Sequence, residues 1–239
     1  MQAPNFKDLI IFESEDYIAI NKPPYLSTLD DRAEGAFKSL LRMAKDYEPE
    51  AQVCHRLDKE TSGVLLIARN PEAYRHSSMQ FEHRQVTKRY HAVVGGIHDF
   101  KEVNVYLPIL PLRTGTVTID KVNGKEAETI FNTMEVYRAH TLVECKPITG
   151  RMHQIRIHLS CLKAPIVADH AYGGDEIYLS EIKGKFKLKK NTEELPLIRR
   201  VALHARALTF GLLNGEETTV EAEYPKDFRA LISQLEKNK

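Results

Sequence analysis

The run His55-Arg56-Leu57-Asp58-Lys59-Glu60-Thr61-Ser62-Gly63 crowds five ionisable side chains into one short stretch, directly ahead of the apolar segment Val64-Leu65-Leu66-Ile67. Asp58, Thr61, Ser62 and Gly63 are also turn formers. Carboxylate and hydroxyl side chains bond nearby backbone amides, and glycine accepts left-handed backbone. Taken alone, the string is a well-made loop leading into a strand. The concentration of charge at a strand end, where active sites gather, gives Asp58 a second reading as a working carboxylate.

A carboxylate in a partly dry pocket tends to protonate, because burial penalises its charge. A nearby guanidinium reverses that tendency and fixes the carboxylate in orientation. A second polar stretch is GRMHQIRIHLSCLK, Gly150 to Lys163. Helical spacing puts Ile155, Leu159 and Leu162 on one stripe and His153, Arg156, Ser160 and Lys163 on the other side. That is the pattern of a helix with a solvated face and a core stripe opposite. His153 and His158 are not spaced i, i+4 and no Glu follows His153, so a metal site is not expected.

These loops need a frame. Strand-like stretches are Leu9–Phe12, Tyr17–Asn21, Val64–Arg69, Tyr90–Val94, Thr129–Val136, Thr141–Cys145 and Leu203–Phe210, several alternating apolar with polar. Helices are expected over 37–47, with Leu40, Leu41, Ala44 and Tyr47 on one stripe, and over 152–162 and 228–235. Asn70-Pro71-Glu72 starts another, running to about His83: a capping side chain, a proline in the first turn, then an acid. Helices and strands do not alternate regularly, which disfavours a doubly wound parallel sheet. The expected class is α+β, with a mostly antiparallel or mixed central sheet and flanking helices, as a single catalytic domain over 1–239.

The formal net charge is only +1, so any surface for a polyanion must be local. One candidate is Lys183, Lys185, Lys187, Lys189 and Lys190, interleaved with Phe186 and Leu188. Their period of two suggests a short strand or hairpin with a lysine-rich face, which either contacts nucleic acid or protects a sheet edge. Apolar runs are too short to cross a membrane, and MQAPNFKDLIIF lacks the pattern of a secretory signal. Cys54, Cys145 and Cys161 are widely spaced and read as free thiols in a reducing compartment, hence cytoplasm.

HRLDKETSG closely resembles the signature loop of RluA-type RNA pseudouridine synthases, matching at His55, Arg56, Leu57, Asp58, Thr61, Ser62 and Gly63. Further marks follow in the family's order. They are Asn21-Lys22-Pro23-Pro24, Lys88-Arg89-Tyr90-His91-Ala92, Gly150 to Leu159, Tyr172-Gly173-Gly174, Leu203-His204-Ala205 and Pro225-Lys226-Asp227-Phe228. Two departures stand out. Tyr25 to Arg32 lacks the usual Gly and His-Pro, and Ala168 stands where the family has glycine. Both are expected to affect loops that choose the RNA. The small N-terminal RNA-binding domain of many relatives is not expected here, since only a few residues precede Phe6.

The resemblance implies isomerisation of uridine to pseudouridine in ribosomal or transfer RNA by a monomeric enzyme without cofactor. It makes Asp58 the catalytic carboxylate, Arg156 its partner, and Tyr90 a ring against the target base. Arg56 is a candidate to fill the space left by the flipped base, with a salt bridge inside the loop as its alternative. His55, Lys88, Arg89, Arg151, His153, Lys185 and Lys187 are the other candidate RNA contacts. Two rivals are weaker. A silent RNA-binding module predicts a lost carboxylate or arginine, and a hydrolase or nuclease predicts clustered metal ligands.

Overall fold

The computed structural model describes residues 4–30, 38–184, 186–188 and 192–239. The strands of the first part are β1 (Ile10–Glu13), β2 (Tyr17–Lys22), β3 (Gln52–Val53), β4 (Ser62–Ala68) and β5 (Thr87–Gly95). Then come β6 (Val103–Tyr106), β7 (Ile109–Pro111), β8 (Val117–Ile119), β9 (Glu128–Val136) and β10 (His140–Pro147). β11 (Leu203–Gly211) and β12 (Glu217–Glu221) close the set. The helices are α1 (Leu40–Tyr47), α2 (Pro71–Glu82), α3 (Gln154–Cys161), α4 (Leu179–Ile182) and α5 (Lys226–Lys237). Strands and helices are segregated as expected, and the class is α+β.

The chain forms two compact units, one of Met1–Arg89 with His204–Tyr224 and one of Tyr90–Leu203 with Pro225–Lys239. In the first, β1, β2, β4 and β11 lie side by side, with β3 on β4 and β12 on β11. All these neighbours are antiparallel except β4 and β11, which run parallel through Ser62↔His204 and Gly63↔Ala205. Tyr17, Ala19, Val64, Leu66, Leu208, Phe210 and Val220 form its core with Ala73 of α2. The Asn70 signal performs as read: its side chain accepts from the Ala73 amide at 2.8 Å and Pro71 opens the helix. In α1, Ser39 is the cap and Met43 joins Leu40 and Ala44 inside, while Leu41 and Tyr47 are half-buried.

In the second unit β5, β10, β9 and β6 pair antiparallel in that order, and β7 pairs with β8 as a separate hairpin. The C-terminal helix α5 is stapled to this unit. Arg200 is fully buried and forks onto Asp227 at 2.7 and 3.0 Å, and Phe228 is fully buried beside it. The short strands β6, β7, β8 and β12 go beyond the sequence expectation. Conversely, the lysine-rich strand is absent among the described residues. Phe186, Lys187 and Leu188 pair with no strand, and Lys185, Lys189 and Lys190 lie outside the described residues. Leu188 is 46% exposed, so the alternation had no apolar face to bury.

Candidate active site

Asp58 is half-buried between two backbone neighbours that are each tied down. On one side, the Thr28 hydroxyl donates to the Leu57 carbonyl at 3.1 Å and accepts from the Leu57 amide at 3.4 Å. On the other, the Lys59 carbonyl accepts from the Tyr25 amide at 2.8 Å and from the Lys22 ammonium at 3.2 Å. Lys22 is fully buried, and its ammonium also donates to the carbonyls of Pro23 and Leu26. A buried cation is tolerated where carbonyl oxygens replace water, and here those oxygens belong to the two loops it joins. The Thr61 amide then turns back to the Asp58 carbonyl at 3.1 Å. The Asn-Lys-Pro turn thus holds the aspartate loop. Thr28 belongs to the segment that departs from the family's pattern, so that departure reaches the loop of Asp58 itself.

The exit of the loop is fixed from β11. The fully buried His204 gives its Nε2 proton to the Ala222 carbonyl at 3.1 Å, since a carbonyl can only accept. Its Nδ1 therefore accepts from the Ser62 hydroxyl, at 2.9 Å. Next to it, Gly63 has φ +116°, and a Cβ there would stand 2.1 Å from the Ala205 carbonyl oxygen. Only glycine lets β4 and β11 approach this closely. Gly63→Ala is expected to lose about 2–5 kcal/mol, combining left-handed strain with overpacking. Gly150→Ala, whose Cβ meets nothing within 4 Å, serves as control. Equal melting temperatures for the two variants would contradict this account of Gly63.

In the second unit, Arg156 projects from α3 with its side chain 11% exposed. Its Nε and Nη2 donate to the two oxygens of Asp169, both at 2.7 Å, and Asp169 is 1% exposed. The Tyr172 ring lies 5.0 Å from the guanidinium carbon. The Tyr172 hydroxyl accepts from the Val117 amide at 2.9 Å and is hydrogen-bonded to His153 Nδ1 at 2.8 Å. α3 is not the half-solvated helix its spacing suggested. Besides Ile155 and Leu159, it buries Gln154, Ile157 and His158, while Leu162 beyond its end is half-buried. Gln154 binds Thr149, Thr129 and the Glu128 carbonyl, and His158 bonds Thr129 and the Leu107 carbonyl. Polar residues at helical spacing here face a polar interior. Ahead of Asp169, Ala168 has φ +60°, the left-handed region, which explains glycine in the family's pattern at that position.

A family profile described as RNA pseudouridylate synthase matches residues 16–161, taking in the aspartate loop, the Tyr90 strand and α3. The chain belongs to that family. The ribosomal large subunit pseudouridine synthase C of Escherichia coli (strain K12) is 32% identical over 235 residues, covering 95% of this chain and 70% of that protein. Its namesake from Buchnera aphidicola is 34% identical over 211 residues, covering 86% of this chain. The chain spans 63% of the Buchnera protein and 52% of a Vibrio cholerae relative of the same name. Among solved structures, human RNA Pseudouridylate Synthase Domain Containing 4 superposes with TM-score 0.71 at 26% identity, covering 97% of this chain and 95% of that one. The RluA-type resemblance of HRLDKETSG is borne out by these relatives.

Within the synthase frame, the sequence candidates fare differently. Asp58 lies in the first unit, and Tyr90 and Arg156 in the second. Tyr90 is half-buried on β5, opposite Cys145 of β10. The sequence reading gave Arg156 one partner, Asp58. The partners the structure gives Arg156 are Asp169 and Tyr172, which that reading missed although Tyr172 lies in a family mark and Asp169 follows the Ala168 departure. Arg56 is exposed. His55 has a packing task instead. Its Nε2 accepts from the Leu66 amide at 3.1 Å and its ring lies against Phe81. Burial pushes it down to about 4, so it stays neutral at pH 7 and brings no charge to a phosphate. Burial, with Arg84 nearby, pulls the Lys88 ammonium down to about 8. Arg89 pairs with Glu221 at 2.9 Å, and any phosphate must compete with that carboxylate. Arg151 and Lys187 are exposed, and His153 is half-buried under Tyr172. Among the described residues no three metal-ligating side chains converge, and no helix is long and apolar enough to cross a membrane.

Proposed function

We propose that this chain converts uridine to pseudouridine in large-subunit ribosomal RNA, with Asp58 as the catalytic carboxylate. The observation that carries the reading is the aspartate loop itself: a family signature whose Asp58 sits between two backbone neighbours fixed by Lys22, Tyr25 and Thr28. Fixing the backbone on both sides aims the carboxylate before substrate arrives, which is how positioning lowers a barrier. The names of the bacterial relatives support ribosomal RNA over transfer RNA. Three free thiols suit a reducing compartment and support a cytoplasmic enzyme. We read it as working as a monomer.

In this reaction the N1–C1′ bond breaks, the uracil turns, and C5 bonds to the same C1′. The C5 proton leaves and N1 takes one up, so no net oxidation or hydrolysis occurs. Both routes open to Asp58, attack at C1′ or removal of the C2′ proton, require its ionised form. Arg156 is the cation assigned to favour that form, and Asp169 keeps its guanidinium in one orientation. The target base must leave its stack, as with other enzymes that act on bases. Arg56, exposed and carrying a planar guanidinium that can stack and bind phosphate, is suited to fill the gap.

Tyr90 is assigned to the displaced uracil. Tyr90→Phe keeps the ring and is expected to retain most of the single-turnover rate. Tyr90→Leu loses ~1–3 kcal/mol of stacking, roughly a five- to hundredfold drop. Equal failure of both variants would place the hydroxyl in the later proton removal from C5, and wild-type rates for Tyr90→Leu would make Tyr90 strand packing. The substrate is tested by mapping pseudouridines in total RNA from cells lacking the protein. Sites missing from large-subunit RNA are the expected result, and losses confined to transfer RNA would reassign the target.

A further inference from the structure

We propose that Tyr172 is a positioning residue for Arg156, its ring holding the guanidinium and its hydroxyl tying α3 to the β7–β8 hairpin. This rests on the function proposed above, but its geometry stands apart from it. Arg156 is held on two sides. Asp169 takes Nε and Nη2 in a fork, which fixes the plane of the guanidinium, and the Tyr172 ring lies 5.0 Å from its central carbon. A cation over an aromatic face is attracted without being tied to one hydrogen-bond direction, so the ring limits movement that the fork alone permits.

The hydroxyl has separate partners. It accepts from the Val117 amide, at the first residue of β8, and is hydrogen-bonded to His153 Nδ1. The Tyr172 carbonyl accepts from Ser160 of α3 at 2.8 Å, anchoring the backbone of the same residue. A second link runs parallel to the hydroxyl: Ile109 and Val117 of the hairpin pack with Ile157, the neighbour of Arg156 on α3, and Tyr172 packs against that cluster. One side chain therefore touches the guanidinium, the residue before α3 and the hairpin strand.

Ring and hydroxyl make separable predictions. Tyr172→Phe keeps the ring, so its single-turnover rate is expected within about threefold of wild type, while exchange protection of the Val117 amide falls. Tyr172→Leu removes both, and its rate is expected to drop ten- to hundredfold with RNA affinity little changed. In an Arg156→Lys background the same Leu substitution is expected to add little, because its effect runs through the guanidinium. A full, multiplicative loss in that background would overturn the proposal.

A second readout does not need activity. By NMR, the Arg156 Nε proton in the full chain is expected to show a ring-current shift that survives Tyr172→Phe and vanishes in Tyr172→Leu. An unchanged resonance in the Leu variant overturns the proposal whether or not the wild type turns over RNA. A silent wild type with the expected NMR shifts overturns the functional reading and leaves the positioning role supported. If Tyr172→Leu does not fold, the Phe variant still decides, since a tenfold or greater loss of rate there contradicts a ring-based role.

Discussion

Asp58→Asn is expected to abolish pseudouridine formation while the protein still folds and binds RNA. The anchors of its loop act on backbone groups: Thr28 on Leu57, Tyr25 and Lys22 on the Lys59 carbonyl, and the Thr61 amide on the Asp58 carbonyl. None of these is altered by exchanging a carboxylate oxygen for an amide nitrogen. The amide preserves size but cannot attack C1′ or accept the C2′ proton. A rate loss on the order of 10²–10⁴-fold is expected, the span seen when a positioned acid–base group is removed. Melting temperature and RNA affinity close to wild type are part of the expectation. A variant that lost activity only because it unfolded would show it in the melting curve.

The second large effect is on stability. Arg156→Leu leaves Asp169, 1% exposed, without the fork that neutralises it. Breaking a buried pair from one side typically costs about 3–5 kcal/mol, because the remaining charge keeps its desolvation penalty. For a chain of this size that is roughly 6–20 °C in melting temperature. Arg156→Leu with Asp169→Leu removes both charges and is expected to recover much of that loss, since a well-packed apolar pair often replaces a buried ion pair without penalty. Activity should stay lost in the double variant, because the cation assigned to Asp58 is gone. Recovery of both would make Arg156 purely structural. A melting temperature unaffected by Arg156→Leu would mean that Asp169 is satisfied without it.

What could be read in advance follows from the range of each interaction. The alternating runs gave β2, β4, β5, β9, β10 and β11, because a half-buried strand writes its period into consecutive residues. Asn70-Pro71 announced α2 because capping is settled within four residues. β6, β7, β8 and β12 span three to five residues each, too few for a period to stand out. Spacing put His153, Arg156, Ser160 and Lys163 on a solvated face of α3; the first three are half-buried, and Gln154 and His158, outside that pattern, are buried where distant carbonyls and hydroxyls satisfy them. Of the lysine alternation at 183–190, the described residues Phe186, Lys187 and Leu188 lie in no strand: a period without a neighbouring strand makes no sheet.

The site divides along the same line. Asp58, Arg156 and Tyr90 came from motif resemblance, which compresses tertiary information into short strings. Lys22 was legible only as part of a turn and Thr28 only as part of a departing segment, because their partners Lys59 and Leu57 lie 37 and 29 residues on. Asp169 lies just 13 residues from Arg156, but its grip crosses from a helix to a loop, where no spacing rule applies. His55 shows what a string of ionisable residues leaves out. A histidine beside Arg56 and Asp58 suggested charge, and its surroundings keep it neutral.

The most direct measurement uses the purified full chain with large-subunit ribosomal RNA carrying tritium at C5 of its uridines. Forming the C5–C1′ bond expels that tritium, so release to solvent counts turnovers, and nuclease digestion identifies the product nucleoside. The expected result is release by the wild type that plateaus at a whole number of sites per RNA, matched by pseudouridine in the digest, with none from Asp58→Asn. Release from the Asp58→Asn protein at the wild-type rate, or no release by folded wild type that binds the RNA, would contradict the assignment.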